Sequence, residues 1–351
     1  MRVVYSPLHA MHDPSVELES STAHSPRENV RRAEIIREAL AADPAYSFVA
    51  PREFGTAPIT AVHNAGLVAF LESAWERYQR EVAVAREVVP DIFYRPSLRR
   101  DHPRARPPEA VNPGLGWWCF ETTTPLTQGT YTAARAAVDA ALTATDLVIA
   151  GERAAYAICR PPGHHATSSL YGGYCFFNNA AIAARALQSA GMGKVTVLDV
   201  DYHHGNGTQE IFYDSPDVQY VSLHGDPARA YPYYTGFADE TGSGSGRGTT
   251  LNVPLAARTD DDAYLRSLER ACAEIAAFAP DALVVSLGLD PFVTDPIADL
   301  AITTDGFAAC GAVVARLGLP TVIVQEGGYD VDALGRNVHS WLSGFARGGT
   351  V

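Results

Sequence analysis

A chain of 351 residues, 47% hydrophobic and 19% charged, can bury a substantial core and has the balance of a globular protein rather than a disordered or fibrous one. Its formal net charge of −13, with no compensating basic domain, argues against nucleic-acid binding as a main role and mildly favours a cationic ligand. Cys119, Cys159, Cys175, Cys272 and Cys310 form no CxxC pair, no signal-like apolar stretch precedes the first strand, and no apolar run could span a bilayer, so a cytoplasmic protein with reduced thiols is expected.

Residues 2–5 read as a first strand, followed by a polar loop with His9, His12 and His24. Val30, Ala33, Ile36 and Leu40 recur at helical spacing, which predicts a helix over 28–40 closed by Asp43-Pro44. A second helix is expected from about residue 64 to 89. The stretch that follows carries Pro90, Pro96, Pro103, Pro107, Pro108 and Pro113 with Arg95, Arg99, Arg100, Arg104 and Arg106. Regular structure is not expected there. A Pro/Arg-rich insertion at about 90–116 reads as an exposed loop, or as a lid or subunit-contacting arm.

An alanine-rich helix is expected at 129–143. Strand-like runs then fall at 154–159, 195–198, 218–223, 282–287 and 321–325, with helical stretches at 178–190, 261–278, 305–317 and 331–345. This βα rhythm predicts a parallel sheet covered by helices on both faces. No repeat or linker divides the chain, so a single domain over 1–351 is expected. The glycine-rich stretch 242–248 lacks the Lys-Ser/Thr of a phosphate loop and precedes a strand, so it reads as a turn.

Polar clusters lie just beyond the carboxyl ends of four of these strands: Arg160-Pro161-Pro162-Gly163-His164-His165, Asp199-Val200-Asp201-Tyr202-His203-His204-Gly205-Asn206-Gly207, Gly288-Leu289-Asp290 and Glu326-Gly327-Gly328-Tyr329. Ligands of open parallel sheets bind at that edge. Each residue alone has an ordinary explanation as a turn, a cap or packing. Together they supply a hydrolytic site. In an extended segment Asp199, Asp201 and His203 would face one side and call for a shared cation. Asp201, His203 and Asp290 give three ligands and leave a position for water. His164 and His165 can move protons, and Tyr329 can donate to an oxyanion.

These motifs, with Gly172-Gly173-Tyr174-Cys175-Phe176-Phe177-Asn178-Asn179-Ala180, resemble the arginase/deacetylase superfamily across nearly the whole chain. Within it the chain is similar to the histone deacetylase-like amidohydrolases, above all the bacterial acetylpolyamine amidohydrolases. The resemblance implies an α/β fold with a mainly parallel sheet of about eight strands. It implies zinc on Asp201, His203 and Asp290, a site that also tolerates Fe(II) or Co(II). It implies His165 backed by Asn206 for proton transfer, His164 backed by Asp199, and Tyr329 on the acyl carbonyl. Tyr174 and Tyr231, with Gly173, match the walls of a narrow acyl tunnel, while Glu121 and Ile297 match its rim. A structural potassium ion near Asp199, Ser222 and Leu223 is implied as well. The implied reaction is removal of acetyl from a small acetylated amine by a homodimer joined through the 90–116 loop. Acetyl-lysine peptides are the alternative substrate, and a non-catalytic binding protein is the third reading. Pro291 stands where the family usually has threonine, and the family's N-terminal arginine fits His24–Arg31 only with a gap, so it is left unassigned.

Overall fold

The chain opens with β1 (Arg2–Val4), a 3-10 turn and a two-stranded hairpin, β2 (Glu17–Glu19) and β3 (Thr22–His24). Then come α1 (Val30–Ala41), β4 (Ser47–Val49), α2 (Ala57–Thr60), α3 (Ala65–Glu81), α4 (Val111–Trp118), α5 (Thr130–Ile149) and β5 (Ala154–Ala157). They are followed by α6 (Asn179–Ser189), β6 (Val195–Asp199), α7 (Asn206–Phe212), β7 (Val218–Gly225), β8 (Thr250–Leu255) and α8 (Asp261–Phe278). The chain closes with β9 (Ala282–Leu287), α9 (Thr304–Ala315), β10 (Thr321–Gln325) and α10 (Val331–Gly348). This computed structural model describes residues 1–19, 21–95 and 106–349. Pro96, Arg99, Arg100, Pro103 and Arg104 of the insertion lie outside the described residues.

Eight strands form one sheet in the order β4-β1-β5-β10-β9-β6-β7-β8, and every ladder is parallel. Strand alternation splits their side chains between two cores. Val322 and Val324 join Val195, Val197, Ala155 and Ala157 under the alanine-rich faces of α5 and α6. Ile323, Leu198, Val285 and Tyr156 face the other way, against α1, α8, α9 and α10. Burial on both faces is why these strands read as continuous apolar runs. A third core joins α3 and α4 to Tyr171, Phe176 and Phe177. Among the described residues no helix is long and apolar enough to cross a membrane.

The expected elements are present, with corrections at their ends. The second helix stops at Glu81, short of 89, because Val88 exchanges backbone hydrogen bonds with Leu126, both 2.9 Å, and Gln79 holds both backbone groups of Ala85. α4 occupies the end of the insertion where no regular structure was expected. Its Val111, Leu115 and Trp118 are buried in the third core, and Gly116 has no side chain to block the Ile92 carbonyl, which lies where a Cβ would be. Tyr94 donates to the Gly116 carbonyl at 2.8 Å. α5 runs six residues past 143 to Ile149, with Thr145 bonded back to Ala141. The stretch 242–248 is a turn with a short 3-10 segment, followed by β8. The β2–β3 hairpin, β4, α2 and α7 are too short to leave a periodic signal.

A buried ionic knot ties the N-terminal region to the sheet. Glu28 Oε1 accepts from Arg32 Nη1 at 2.9 Å and from Arg160 Nε at 2.8 Å, with all three side chains at most 3% exposed. Burial opposes charge on Glu28, but Arg160 and Arg32 outweigh it and hold its pKa below the usual range. The Glu28→Gln variant leaves two guanidinium groups without their counter-ion. We expect a loss of about 3–5 kcal/mol in stability, read as a lower urea midpoint at unchanged slope.

Candidate active site

The strands that carry the four polar clusters, β5, β10, β9 and β6, are consecutive neighbours at the centre of the sheet. Their carboxyl-end loops therefore converge. β6 ends at Asp199, so the alternation that would align Asp199 with Asp201 and His203 does not persist. Asp199 turns instead to His164, whose Nδ1 lies 3.1 Å from Asp199 Oδ2. Tyr220 donates to the same oxygen at 3.1 Å.

Beyond the strand, Asp201, His203 and Asp290 bring one ligand atom each within 4.8 Å of one another, all buried. His203 Nδ1 is 3.0 Å from Asp290 Oδ2 and 3.3 Å from Asp201 Oδ1. The remaining carboxylate oxygens are tied by backbone donors: Gly327 N to Asp201 Oδ2 and Tyr202 N to Asp290 Oδ1, both 2.7 Å. Those bonds aim the ligand atoms. A Cβ on Gly288 or Gly327 would collide with the Asp201 carboxylate, so both positions require glycine for close approach. Burial disfavours a charged His203, yet its bonds to Asp201 and Asp290 raise its pKa to about 10. The two carboxylates that draw a proton to His203 would equally attract a divalent cation to the three ligand atoms. Two carboxylates and one imidazole fit zinc, with space for a fourth ligand.

His165 Nδ1 lies 2.7 Å from Asn206 Oδ1, and the rings of His164 and His165 are 4.0 Å apart. The two histidines differ electrically. Burial works against the cation on His164, but Asp201 and Asp199 raise its pKa to about 10. Burial, then the charges on His164 and His203, push His165 well below its ordinary value. His204 lies behind the site, bonded through Nε2 to Gln209 at 3.1 Å.

A cavity of about 360 Å³ leads to this group. His165, His203 and Tyr329 line it, with Gly173, Tyr174 and Tyr231 along the walls and Glu121 and Ile297 also among its lining residues. Tyr231 meets His165 edge-on at 4.9 Å between centroids. Gly173 takes φ +59, and a Cβ there would come within 2.5 Å of the His165 ring. Tyr174 adopts φ +66, a conformation unfavourable to side chains. It is held there by Thr124 Oγ1 on its N–H at 2.7 Å and by Glu17, which accepts from its hydroxyl. Glu121 is not a free rim acid. Its carboxylate accepts from Thr123 N, Thr124 Oγ1 and Gly173 N, so it pins the wall.

Two residues of this site were not legible in the sequence. Glu17 is 2% exposed and also accepts from Arg27 N at 3.0 Å. Arg32 donates from Nε to the Gly328 carbonyl at 2.7 Å and from Nη2 to the Glu326 carbonyl at 2.6 Å, and lies 4.7 Å over the Tyr329 ring. It thus fixes the loop that carries Tyr329. The sequence reading sought an arginine at His24–Arg31. The helical spacing Glu28/Arg32, an i,i+4 pair on a buried face, was the available signal. Ser222 stands opposite Asp199 in the β6–β7 ladder, with Leu223 next to it; the Ser222 hydroxyl lies 2.7 Å from His224 Nδ1. Pro291 leaves Asp290 within the cluster, and its carbonyl accepts from Ile302 N at 3.1 Å.

A family model described as the histone deacetylase domain matches residues 26–345. The chain is 42% identical over 345 residues to acetylpolyamine amidohydrolase 1 of Pseudomonas aeruginosa, covering 98% of this chain and 99% of that protein. It is 41% identical over 346 residues to the acetylpolyamine amidohydrolase of Mycoplana ramosa, covering 99% and 100%. The crystal structure of an acetylpolyamine aminohydrolase from Burkholderia pseudomallei superposes with a TM-score of 0.92 at 39% identity, covering 99% of this chain and 98% of that one.

Proposed function

Because this chain belongs to the histone deacetylase family, we propose that it is a metal-dependent amide hydrolase that removes acetyl from small acetylated amines, acetylpolyamines foremost. The observation that carries the reading is the buried Asp201/His203/Asp290 cluster at the end of a tyrosine-walled cavity. Asp201, His203 and Asp290 would hold a divalent metal, zinc or alternatively Fe(II) or Co(II), which would supply Lewis acidity to the water and the acyl carbonyl. His165, neutral and oriented by Asn206, accepts the proton of the attacking water. Tyr329 donates its O–H to the carbonyl oxygen as negative charge develops there. His164, held by Asp199, assists protonation of the leaving nitrogen. The amide C–N bond breaks, the water oxygen ends in acetate, and the proton ends on the free amine.

Tyr174 and Tyr231 suit a slender alkyl chain. The cavity draws on residues from Leu18 to Tyr329, which supports one catalytic domain over 1–351. The buried Asp199 carboxylate beside Ser222 and Leu223 supports the structural potassium site. The homodimer through residues 90–116 is carried over from the family resemblance, and size-exclusion chromatography with light scattering tests it. Five free, buried thiols support a cytoplasmic setting.

The decisive assay measures acetate release from acetylputrescine, acetylspermidine, acetylcadaverine and an acetyl-lysine peptide by metal-analysed protein. We expect kcat/KM on at least one small amine to exceed that on the peptide by about tenfold or more, equivalent to about 1.4 kcal/mol. Equal or better turnover of the peptide would favour a protein deacetylase, and no acetate release with metal bound would favour a binding protein.

A further inference from the structure

Tyr329 follows two glycines, and Gly328 takes φ +116, so the chain around the oxyanion donor has little stiffness of its own. Arg32 braces one side of this loop through the Glu326 and Gly328 carbonyls. The other side rests on a buried carboxylate. Asp295, 7% exposed, accepts through Oδ2 from the Tyr329 N–H at 2.7 Å and the Asp330 N–H at 3.3 Å. Its Oδ1 accepts from the Ile297 N–H at 3.1 Å, a turn within its own loop that fixes how the carboxylate points. Burying a carboxylate is costly, and these backbone donors offset that cost only while both loops stay in place.

Asp295 belongs to the same loop after β9 that carries Asp290. That loop is closed by Asp295 N on the Phe292 carbonyl at 2.9 Å and by Ile302 N on the Pro291 carbonyl at 3.1 Å. One short, braced segment therefore joins a ligand of the cluster to the amide of Tyr329. In the proposed reaction the acyl carbonyl oxygen is polarised at the cluster and receives the Tyr329 O–H, so the two must keep a fixed spacing. A misplacement of about 1 Å can cost about 10²-fold in rate. We propose that Asp295 is a positioning residue that holds the Tyr329 hydroxyl in register with Asp201, His203 and Asp290. It is neither one of the three clustered ligands nor a lining residue of the cavity, so its effect passes through Tyr329. The proposal rests on the amide-hydrolase reading above.

The test is a double-mutant cycle on the metal-loaded enzyme with acetylputrescine, with metal content measured for every variant. Asp295→Ala removes the acceptor, and Asp295→Glu keeps the carboxylate on a longer arm should the alanine variant fold poorly. Either is expected to lower kcat about tenfold or more, with KM changed by less than about threefold and metal at the wild-type level. Asp295→Asn keeps one acceptor oxygen for the Tyr329 N–H and should recover most of kcat. In the Tyr329→Phe background, which has no hydroxyl to position, the alanine and glutamate substitutions should lower kcat by less than about twofold. A merely structural role would instead lower kcat by the same factor in both backgrounds. Equal factors, loss of metal in Asp295→Glu, or wild-type kcat in both Asp295→Ala and Asp295→Glu overturns the role of Asp295 and leaves the hydrolase reading standing. No acetate release by the metal-loaded wild type sinks that reading and the proposal with it.

Discussion

Tyr329→Phe is expected to lower turnover by about 10²–10³-fold, the usual cost of one lost oxyanion donor, while metal content stays at the wild-type level. The phenolic oxygen is not one of the three ligand atoms that cluster at Asp201, His203 and Asp290. Nor does it hold the fold together, because the Tyr329 hydroxyl has no hydrogen-bond partner among the described residues. Burial pushes its pKa well up, so the O–H remains a neutral donor across the working pH range. The ring is fixed by other means. Its backbone N–H donates to Asp295 at 2.7 Å, and Arg32 lies beneath it. Phenylalanine keeps the ring, its stacking on the guanidinium and the backbone bond. Thermal stability should therefore be unchanged, KM little altered and kcat reduced. Metal analysis, a melting curve and single-substrate kinetics check the three parts together; undiminished kcat would remove Tyr329 from the chemistry.

Asp290→Ala is expected to abolish metal binding and, with it, turnover by about 10³-fold or more, since the Lewis acid contributes several kcal/mol. Two ligands from one loop, Asp201 and His203, do not make a catalytic metal site without the third from the loop after β9. Alanine also strips the acceptor from the buried Tyr202 N–H, 2.7 Å from Asp290 Oδ1, at a cost of about 1–3 kcal/mol. Asp290→Asn separates the two effects, because the amide oxygen still accepts from Tyr202 while the charge is gone. Both variants should lack metal by elemental analysis, with only the alanine variant losing the additional stability. The wild type should melt lower after chelation, by the linkage between binding and folding, and neither variant should respond to the chelator. Full metal occupancy in Asp290→Asn would show that the charge of Asp290 is dispensable.

The difference between His164 and His165 illustrates what neighbours do to one residue type. The two are adjacent in the chain and both buried, yet one is backed by a carboxylate and the other by an amide. A carboxylate behind imidazole stabilises the cation, whereas an amide oxygen orients the ring without contributing a full charge. That assignment came from motif resemblance and could not have come from spacing. Extended-strand alternation would have grouped Asp199 with Asp201 and His203. It failed because the strand ends at Asp199 and the next residues form the loop that aims Asp201 at Asp290 instead.

By itself the sequence determined the βα rhythm, the position of each central strand and the placement of chemistry at strand carboxyl ends. Those properties are local: β-branched runs such as Val322-Ile323-Val324, and the polar turns that follow them, declare themselves within a few residues. The tertiary structure decided which strands are neighbours, and that made β5, β10, β9 and β6 into one site although their order in the chain is different. It also decided which charges are spent and which are free. Glu17, Arg32 and Glu121 turn inward to hold Tyr174, the Tyr329 loop and Gly173. Such commitments depend on partners tens to hundreds of residues away, so no window of sequence contains them.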